Sequence, residues 1–111
     1  MAREATPGGL DLLVLHLLSE REMYGYEIVT ELASRSNAVF QMKEGTLYPL
    51  LHALEKAGEV QSYDKTAPTG RERRYYRLTE KGAGRLEEKV SQWRVFSESV
   101  NTVLSCSPAA G

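Results

Sequence analysis

Apolar positions recur at helical spacing in four stretches of the chain and at alternate positions in one further stretch. Residues 8–20, GGLDLLVLHLLSE, put Leu10, Leu13, Val14, Leu17 and Leu18 on one broad face, with Asp11 in the first turn to complement the helix dipole. Leu12 and Leu15 lie on the other side, so this helix is apolar nearly all round and needs cover on two sides. A domain this small can cover one, and a second subunit is the expected cover for the other. After a turn over residues 21–23, a second helix is predicted from about Tyr24 to Ser36. Its inward face is Tyr26, Val29 and Ala33, with Ile28 and Leu32 beside them. Residues 38–42 form a short linker in which Val39, Phe40 and Met42 are expected to plug the gap between helices.

The third helical stretch, KEGTLYPLLHALEKAG over residues 43–58, is the one around which the rest is organised. Leu47, Leu50, Leu51 and Leu54 make its buried stripe at i, i+3, i+4, i+7. The opposite side carries Gly45, Thr46, Pro49, His52, Ala53 and Lys56, with Tyr48 on the flank. That side has hydroxyls, an imidazole and an ammonium group but no acid and no bulky aliphatic. Pro49 lacks an N–H and forfeits a backbone bond, which a 3₁₀-like first turn would accommodate. A short strand is predicted over residues 59–63, then a polar turn, DKTAPTGRE. The stretch RRYYRL over 73–78 alternates, with Arg74, Tyr76 and Leu78 on one face and Arg73, Tyr75 and Arg77 on the other.

Thr79 is a good N-cap for a long final helix of about 25 residues, or ~38 Å. Along it, Leu86, Val90, Trp93, Val100 and Leu104 follow alternating four- and three-residue steps, with Ser97 the one polar position and Phe96 alongside. Such a stripe is a coiled-coil-like seam, too long for three helices and a hairpin to cover. Leu12, Leu15, Leu86, Val90, Trp93, Val100 and Leu104 are therefore the expected dimerisation residues. The predicted class is α+β, mainly α. A winged helix-turn-helix over residues 1–78 is followed by a dimerisation helix over 79–105 and a disordered tail over 106–111.

Composition adds two constraints. The chain has 111 residues, 41% hydrophobic and 26% charged, ordinary for one small globular domain. It has no apolar run of membrane-spanning length, and MAREATPGG is a poor signal peptide, so a cytoplasmic protein without membrane contact is expected. Net charge is −1, yet it is unevenly spread. Residues 1–64 hold 5 Lys/Arg against 10 Asp/Glu, whereas residues 65–85 hold 7 against 2. A local excess of this kind beside a polar helix face is an electrostatic footprint for nucleic acid. The competing reading is a solvated hairpin whose arginines pair with nearby acids.

Read as a DNA-binding surface, Lys43, Thr46, Tyr48 and His52 reach base edges or phosphates, and Arg71, Arg73 and Arg74 reach phosphates or the adjoining minor groove. His16 and His52 fall on different helices, and Cys106 has no partner spacing for zinc, so no metal site and no cofactor are expected. No nucleophile elbow or phosphate-binding loop is present, and the chain does not read as an enzyme.

Several segments together carry a family resemblance. LDLLVL from Leu10, YGYE from Tyr24, EGTLYPLL from Glu44, LEKAG from Leu54 and RYYRLTEKG from Arg74 resemble the PadR family of transcriptional regulators over about residues 9–93. The chain departs from the usual pattern at Lys43-Glu44, where a Ser-Pro pair is common. The resemblance implies a homodimeric winged-helix repressor that binds an inverted-repeat operator in double-stranded DNA beside a transporter or detoxification gene. It further implies that a planar aromatic effector stacks on Trp93, with Phe96 beside it; plain packing at the seam is the alternative for Trp93. Two rival functions stand beside the repressor: a winged-helix protein-interaction module, and a drug-sequestering dimer with weak DNA binding.

Overall fold

Four helices and a three-stranded sheet make up residues 9–106, the part of the chain that the computed structural model describes. In chain order they are α1 (Leu10–Glu20), β1 (Met23–Tyr24), α2 (Gly25–Arg35), α3 (Glu44–Lys56), β2 (Val60–Thr66), β3 (Glu72–Leu78) and α4 (Glu80–Ser105). The sheet is antiparallel in the order β1-β3-β2. Residue 8, included in the predicted first helix, lies outside the described residues, as do residues 107–111 of the expected tail.

α1 starts at Leu10, inside the predicted 8–20 stretch, after Gly9 in the left-handed conformation (φ 64°). Its cover differs from expectation. α1 contacts α2, β3 and α4 of its own chain, and Leu15 is completely buried there together with Val14. Leu15 therefore has no surface to offer a partner, and its assignment as a dimerisation residue is corrected. The long final helix, expected to pair the subunits, also lies along α1 and contributes to its cover. Lys89 Nζ sits 2.7 Å from Asp11 Oδ2 and fixes the two helices together.

The residues read as a turn over 21–23 include instead the short strand β1, with Met23 opposite Tyr76 and Tyr24 opposite Tyr75. α2 follows at once, opened by Glu27, whose carboxylate accepts from the Tyr24 N–H at 3.2 Å. Its buried face is Gly25, Ile28 and Leu32, while Tyr26 is exposed. The helix starts one residue later than the sequence suggested, pairing Tyr24 into the sheet. In the linker Met42 is buried as expected, but Val39 is 74% exposed. Asn37 and Ala38, both at positive φ, turn the chain so that Val39 points away from the core.

β2 and β3 are longer than predicted, and their register runs from Val60↔Leu78 to Thr66↔Glu72. The turn between them is closed by the Ala67 N–H on the Arg71 carbonyl at 2.7 Å. Side chains of Val60, Tyr76 and Leu78 meet the core, so even-numbered positions of β3 face inward and odd-numbered ones outward.

The junction between α3 and α4 is tightly built. Gly58 turns the chain at φ 80°, a left-handed conformation that ends helices and suits glycine. The Thr79 N–H then donates to the Glu59 carbonyl at 3.1 Å. The Thr79 hydroxyl donates to the Gly58 carbonyl at 2.6 Å and accepts from the Gly82 N–H at 3.0 Å, making the N-cap that the sequence predicted. Gly82 is buried, and a Cβ there would overlap the Glu59 carbonyl oxygen and crowd Leu78. Arg85 Nε lies 3.4 Å from the carboxylate of Glu59, itself buried.

Gly82→Ala tests this junction against helix propensity. Alanine is better than glycine within a helix by ~1 kcal/mol, but forcing a methyl group into a packed site costs about 1–3 kcal/mol. At Gly82 the obstacle is backbone, so the variant is expected to lose stability in urea unfolding. Gly84→Ala, where nothing lies within 4 Å of the added carbon, is expected to gain up to ~1 kcal/mol. Two shifts of the same sign would remove the steric role assigned to Gly82.

Candidate nucleic-acid interface

The buried stripe of α3, Leu47, Leu51 and Leu54, docks on the core and turns the opposite side outward. Lys43, Thr46, Tyr48 and His52 are all exposed there, with Gly45, Pro49, Ala53 and Lys56. Glu44 is exposed in the same first turn. The Lys43 carbonyl accepts from both Thr46 and Leu47 at 2.9 Å. A 3₁₀ contact thus coexists with the α-helical one at the helix start. Pro49 sits inside the helix, on this exposed side, where the carbonyl it leaves without an intrahelical donor has access to water.

Tyr48 has a second role that the sequence did not disclose. Its ring lies against Gly25 at the start of α2, and a Cβ on Gly25 would overlap the tyrosine hydroxyl. The two helices of the helix-turn-helix are therefore held close at that point by the absence of a side chain. Spacing alone gives no signal of this, because it is a contact between residues 23 apart in sequence.

The β2–β3 hairpin divides its charges between two faces. On the core-facing side Asp64 is opposite Arg74 and Thr66 opposite Glu72. Arg74 Nε is 3.5 Å from the Asp64 carboxylate, and both side chains are exposed. On the outward side Gln61 is opposite Arg77, Tyr63 opposite Tyr75 and Lys65 opposite Arg73. Tyr24, Tyr75 and Tyr63 form a row across the three strands, with neighbouring centroids 5.3 and 6.1 Å apart. Each ring carries a cation: Arg73 over Tyr24 at 5.4 Å, Lys65 over Tyr75 at 4.7 Å and Arg77 over Tyr63 at 5.9 Å. Arg77 also donates to Gln61 Oε1 from Nε and Nη2 at 3.0 and 2.9 Å.

Of the two readings of the basic hairpin, acid pairing describes Arg74 alone among the three predicted contact arginines. Arg71 is exposed beside the turn, and among the described residues neither it nor Arg73 makes a salt bridge. Arg73 Nε is buried without a hydrogen-bond partner. A polar cleft joins the hairpin to the helices, lined by Tyr24, Gly25, Tyr26, Glu44, Tyr48, Glu72, Arg73 and Arg74. It brings Tyr48, Arg73 and Arg74 together, while Lys43, Thr46 and His52 stand on the helix outside it and Arg71 beyond it. Lys65, counted in the basic segment but not among the predicted contacts, lies beyond the predicted end of the first strand at Tyr63 and within the observed β2. Extending the alternation by two residues puts Lys65 on the face of Tyr63.

The last helix runs on past α1. The molecule is 64 Å long but only 28 and 25 Å across. Trp93, Phe96, Val100 and Leu104 are exposed on the overhang, whereas Leu12, Leu86 and Val90 are half-buried, Leu86 against its own core. Trp93 and Phe96 rings lie 5.8 Å apart at 36°, 51% and 60% exposed. The cleft that opens on this helix is lined by Leu86, Val90, Arg94 and Val95 with their polar neighbours, and includes neither ring. Within one chain Trp93 and Phe96 are thus a surface rather than a pocket. No helix among the described residues is long and apolar enough to cross a membrane.

Residues 14–88 match the family described as transcriptional regulator PadR-like. A transcriptional regulator of Mycobacterium tuberculosis is 35% identical over 86 residues, 78% of this chain and 77% of that protein. Among solved structures, a PadR-like transcriptional regulator of Bacillus cereus superposes with a TM-score of 0.81 at 34% identity, covering 90% of this chain and 95% of that one. A transcriptional regulator of Streptococcus gives a TM-score of 0.80 at 33% identity, covering 91% and 100%.

Proposed function

This chain belongs to the PadR-like family of transcriptional regulators, and from that premise we propose that it acts as a homodimeric repressor at an inverted-repeat operator, released by a planar aromatic effector. In the proposed division of labour, residues 1–78 bind DNA and residues 79–105 pair the subunits. The observation that carries the reading is the exposed Thr46–His52 side of α3 beside a hairpin whose Arg71 and Arg73 have no acid partner among the described residues. Such a helix suits the major groove, and unpaired guanidinium groups suit phosphates. A dimer bound across the promoter would exclude polymerase, and a neighbouring transporter or detoxification gene is the proposed target.

Pairing of subunits is supported by the apolar stripe on the α4 overhang, where Trp93, Val100 and Leu104 are open to solvent in a single chain. A stripe that long on a soluble monomer is an association surface. The two α3 helices of the dimer must meet half-sites about 34 Å apart. An effector stacked on Trp93 between the subunits would change the angle between the two α4 helices, and hence that distance. Differential affinity for the two arrangements is what would let it release DNA.

Three measurements bear on this reading. First, electrophoretic retardation and footprinting with the promoter of its own gene are expected to give a protected inverted repeat. Thr46→Ala or His52→Ala should cost about 1–3 kcal/mol on that duplex if the side chain reads a base, with little loss on random DNA. Arg71→Ala should instead weaken both duplexes alike. Retention of full affinity in all three variants would exclude this face as the DNA surface. Second, the protein is expected to sediment as a dimer at micromolar concentration, and Val100→Asp with Leu104→Asp to make it monomeric. A monomeric parent protein would end the repressor reading. Third, planar aromatic compounds are expected to quench the sole tryptophan and lower operator affinity. Quenching without a change in affinity would leave Trp93 as a binding surface with no regulatory part.

A further inference from the structure

The outward face of the hairpin has a feature that the repressor reading does not account for. Lys65 and Arg73 are direct partners across β2 and β3, and like charges in that arrangement repel. The hairpin acids do not relieve them. Asp64 and Glu72 are one residue away along each strand and project from the other face, where Asp64 meets Arg74 and Glu72 meets Thr66. Glu22, the acid at the far end of the tyrosine row, accepts a hydrogen bond from the Tyr63 hydroxyl.

What holds the two cations is aromatic. The Lys65 ammonium lies over Tyr75, which is buried, and the Arg73 guanidinium over Tyr24. Laid on its ring, Arg73 has Nε shut away from solvent without a partner. Its side chain therefore approaches a ligand through the outer nitrogens, in an orientation already chosen. Arg73 also lines the cleft shared with Glu44 and Tyr48 at the start of α3, so the Arg73 end of the pair borders the entry end of the helix proposed to read DNA.

We propose that Lys65 and Arg73 form a two-cation clamp for a backbone phosphate of the bound duplex, with Tyr24 as the positioning residue for Arg73. The assignment rests on the DNA-binding reading above and extends it to Lys65. A phosphate bridging the two cations would remove their mutual repulsion. The rigid rings would lower the ordering cost of capturing it, since neither long side chain has to be frozen from a free state. The clamp carries no sequence information and contributes affinity to any duplex.

The test uses the full-length dimer, a duplex of its own promoter region and a random duplex of equal length, between 50 and 200 mM salt. Each phosphate contact contributes about 0.9 to the logarithmic salt slope. Loss of the whole clamp removes one neutralised phosphate per subunit, two per dimer, so the affinity lost across that fourfold salt range should shrink by a factor of about 12. The Lys65→Ala/Arg73→Ala double variant is expected to show this on both duplexes, and each single variant a part of it. Tyr24→Leu should reproduce Arg73→Ala and add nothing in an Arg73→Ala background, whereas Tyr24→Phe, which keeps the ring, should behave as the parent protein. A merely structural Tyr24 would give losses that add in the double variant, and that result would overturn the positioning role. Unchanged salt dependence in Lys65→Ala, with Arg71→Ala or Arg73→Ala still weakening binding, would overturn the clamp and leave the DNA reading intact. A parent protein with no salt-sensitive binding to either duplex would overturn both.

Discussion

The contact on which the architecture depends is the seam between the Gly58–Glu59 turn and the first turn of α4. Glu59 alone takes part in four relationships: its N–H bonds the Leu54 carbonyl, its own carbonyl accepts from Thr79, that carbonyl faces Gly82, and its carboxylate meets Arg85. The C-terminal end of α3 and the N-terminal end of α4 thereby share one hydrogen-bonded junction. Buried polar atoms that are mutually satisfied hold geometry better than apolar contact, because each displacement leaves a donor or acceptor unpaired. The helix proposed to meet DNA and the helix proposed to meet the partner are thus parts of one body. In a twofold assembly built on α4, the distance between recognition helices would follow from the angle at which the two last helices cross.

That rigidity also explains how the polypeptide divides its apolar surface. Up to about Val90 the last helix completes the core of its own chain, with Leu86 packed partly against it and Lys89 tied to Asp11. Past the Asp11 end of α1 the same stripe continues through Trp93, Val100 and Leu104, exposed in the single chain. In the proposed dimer one helix would therefore serve two bodies in succession. Burying such side chains stabilises by roughly 1.5–3 kcal/mol each, so a handful of them is sufficient to favour association over leaving the stripe in water.

Much of this was readable from spacing. The stripe of α3, the Thr79 cap and the alternation in RRYYRL each depend on residues within a few positions of one another, and each appears in the structure. What spacing missed depends on contacts distant in sequence. The face of Leu15 looks superfluous on one helix taken alone; the cover of α1 includes β3 and α4, more than fifty residues later. β1 consists of two residues, too few to show a period, and exists because β3 offers an open edge. Tyr26 was turned inward by periodicity, but Tyr24 joins the sheet and α2 rotates accordingly. Among the DNA-contact candidates, exposure of Lys43, Thr46, Tyr48 and His52 was legible from the leucine stripe. The split of the β3 arginines between two faces was legible as well, from the alternation of RRYYRL; the place of Lys65 opposite Arg73 was not, since it required the true length of β2.

The charge distribution makes better sense at the scale of the hairpin than at the scale of the chain. At physiological salt, interactions between exposed charges are screened beyond about 8 Å, a distance small beside a molecule 64 Å long. Of the acids in the first half, Glu22, Glu44 and Asp64 adjoin the hairpin or its cleft; those farther away do little to a phosphate at the wing, so the net charge of −1 is a poor guide to affinity. What matters is which charges lie within one screening length of each other. On the core-facing side of the hairpin, Arg74 has Asp64 within that range and is largely neutralised. On the outward side, Lys65, Arg73 and Arg77 have tyrosine rings instead, which orient a cation without cancelling its charge. An alternating strand thus separates paired from unpaired cations by a single residue of register. A slip of one position would place each guanidinium beside the wrong partner, so the pairing of β2 with β3 fixes the electrostatics of the wing as firmly as it fixes its shape.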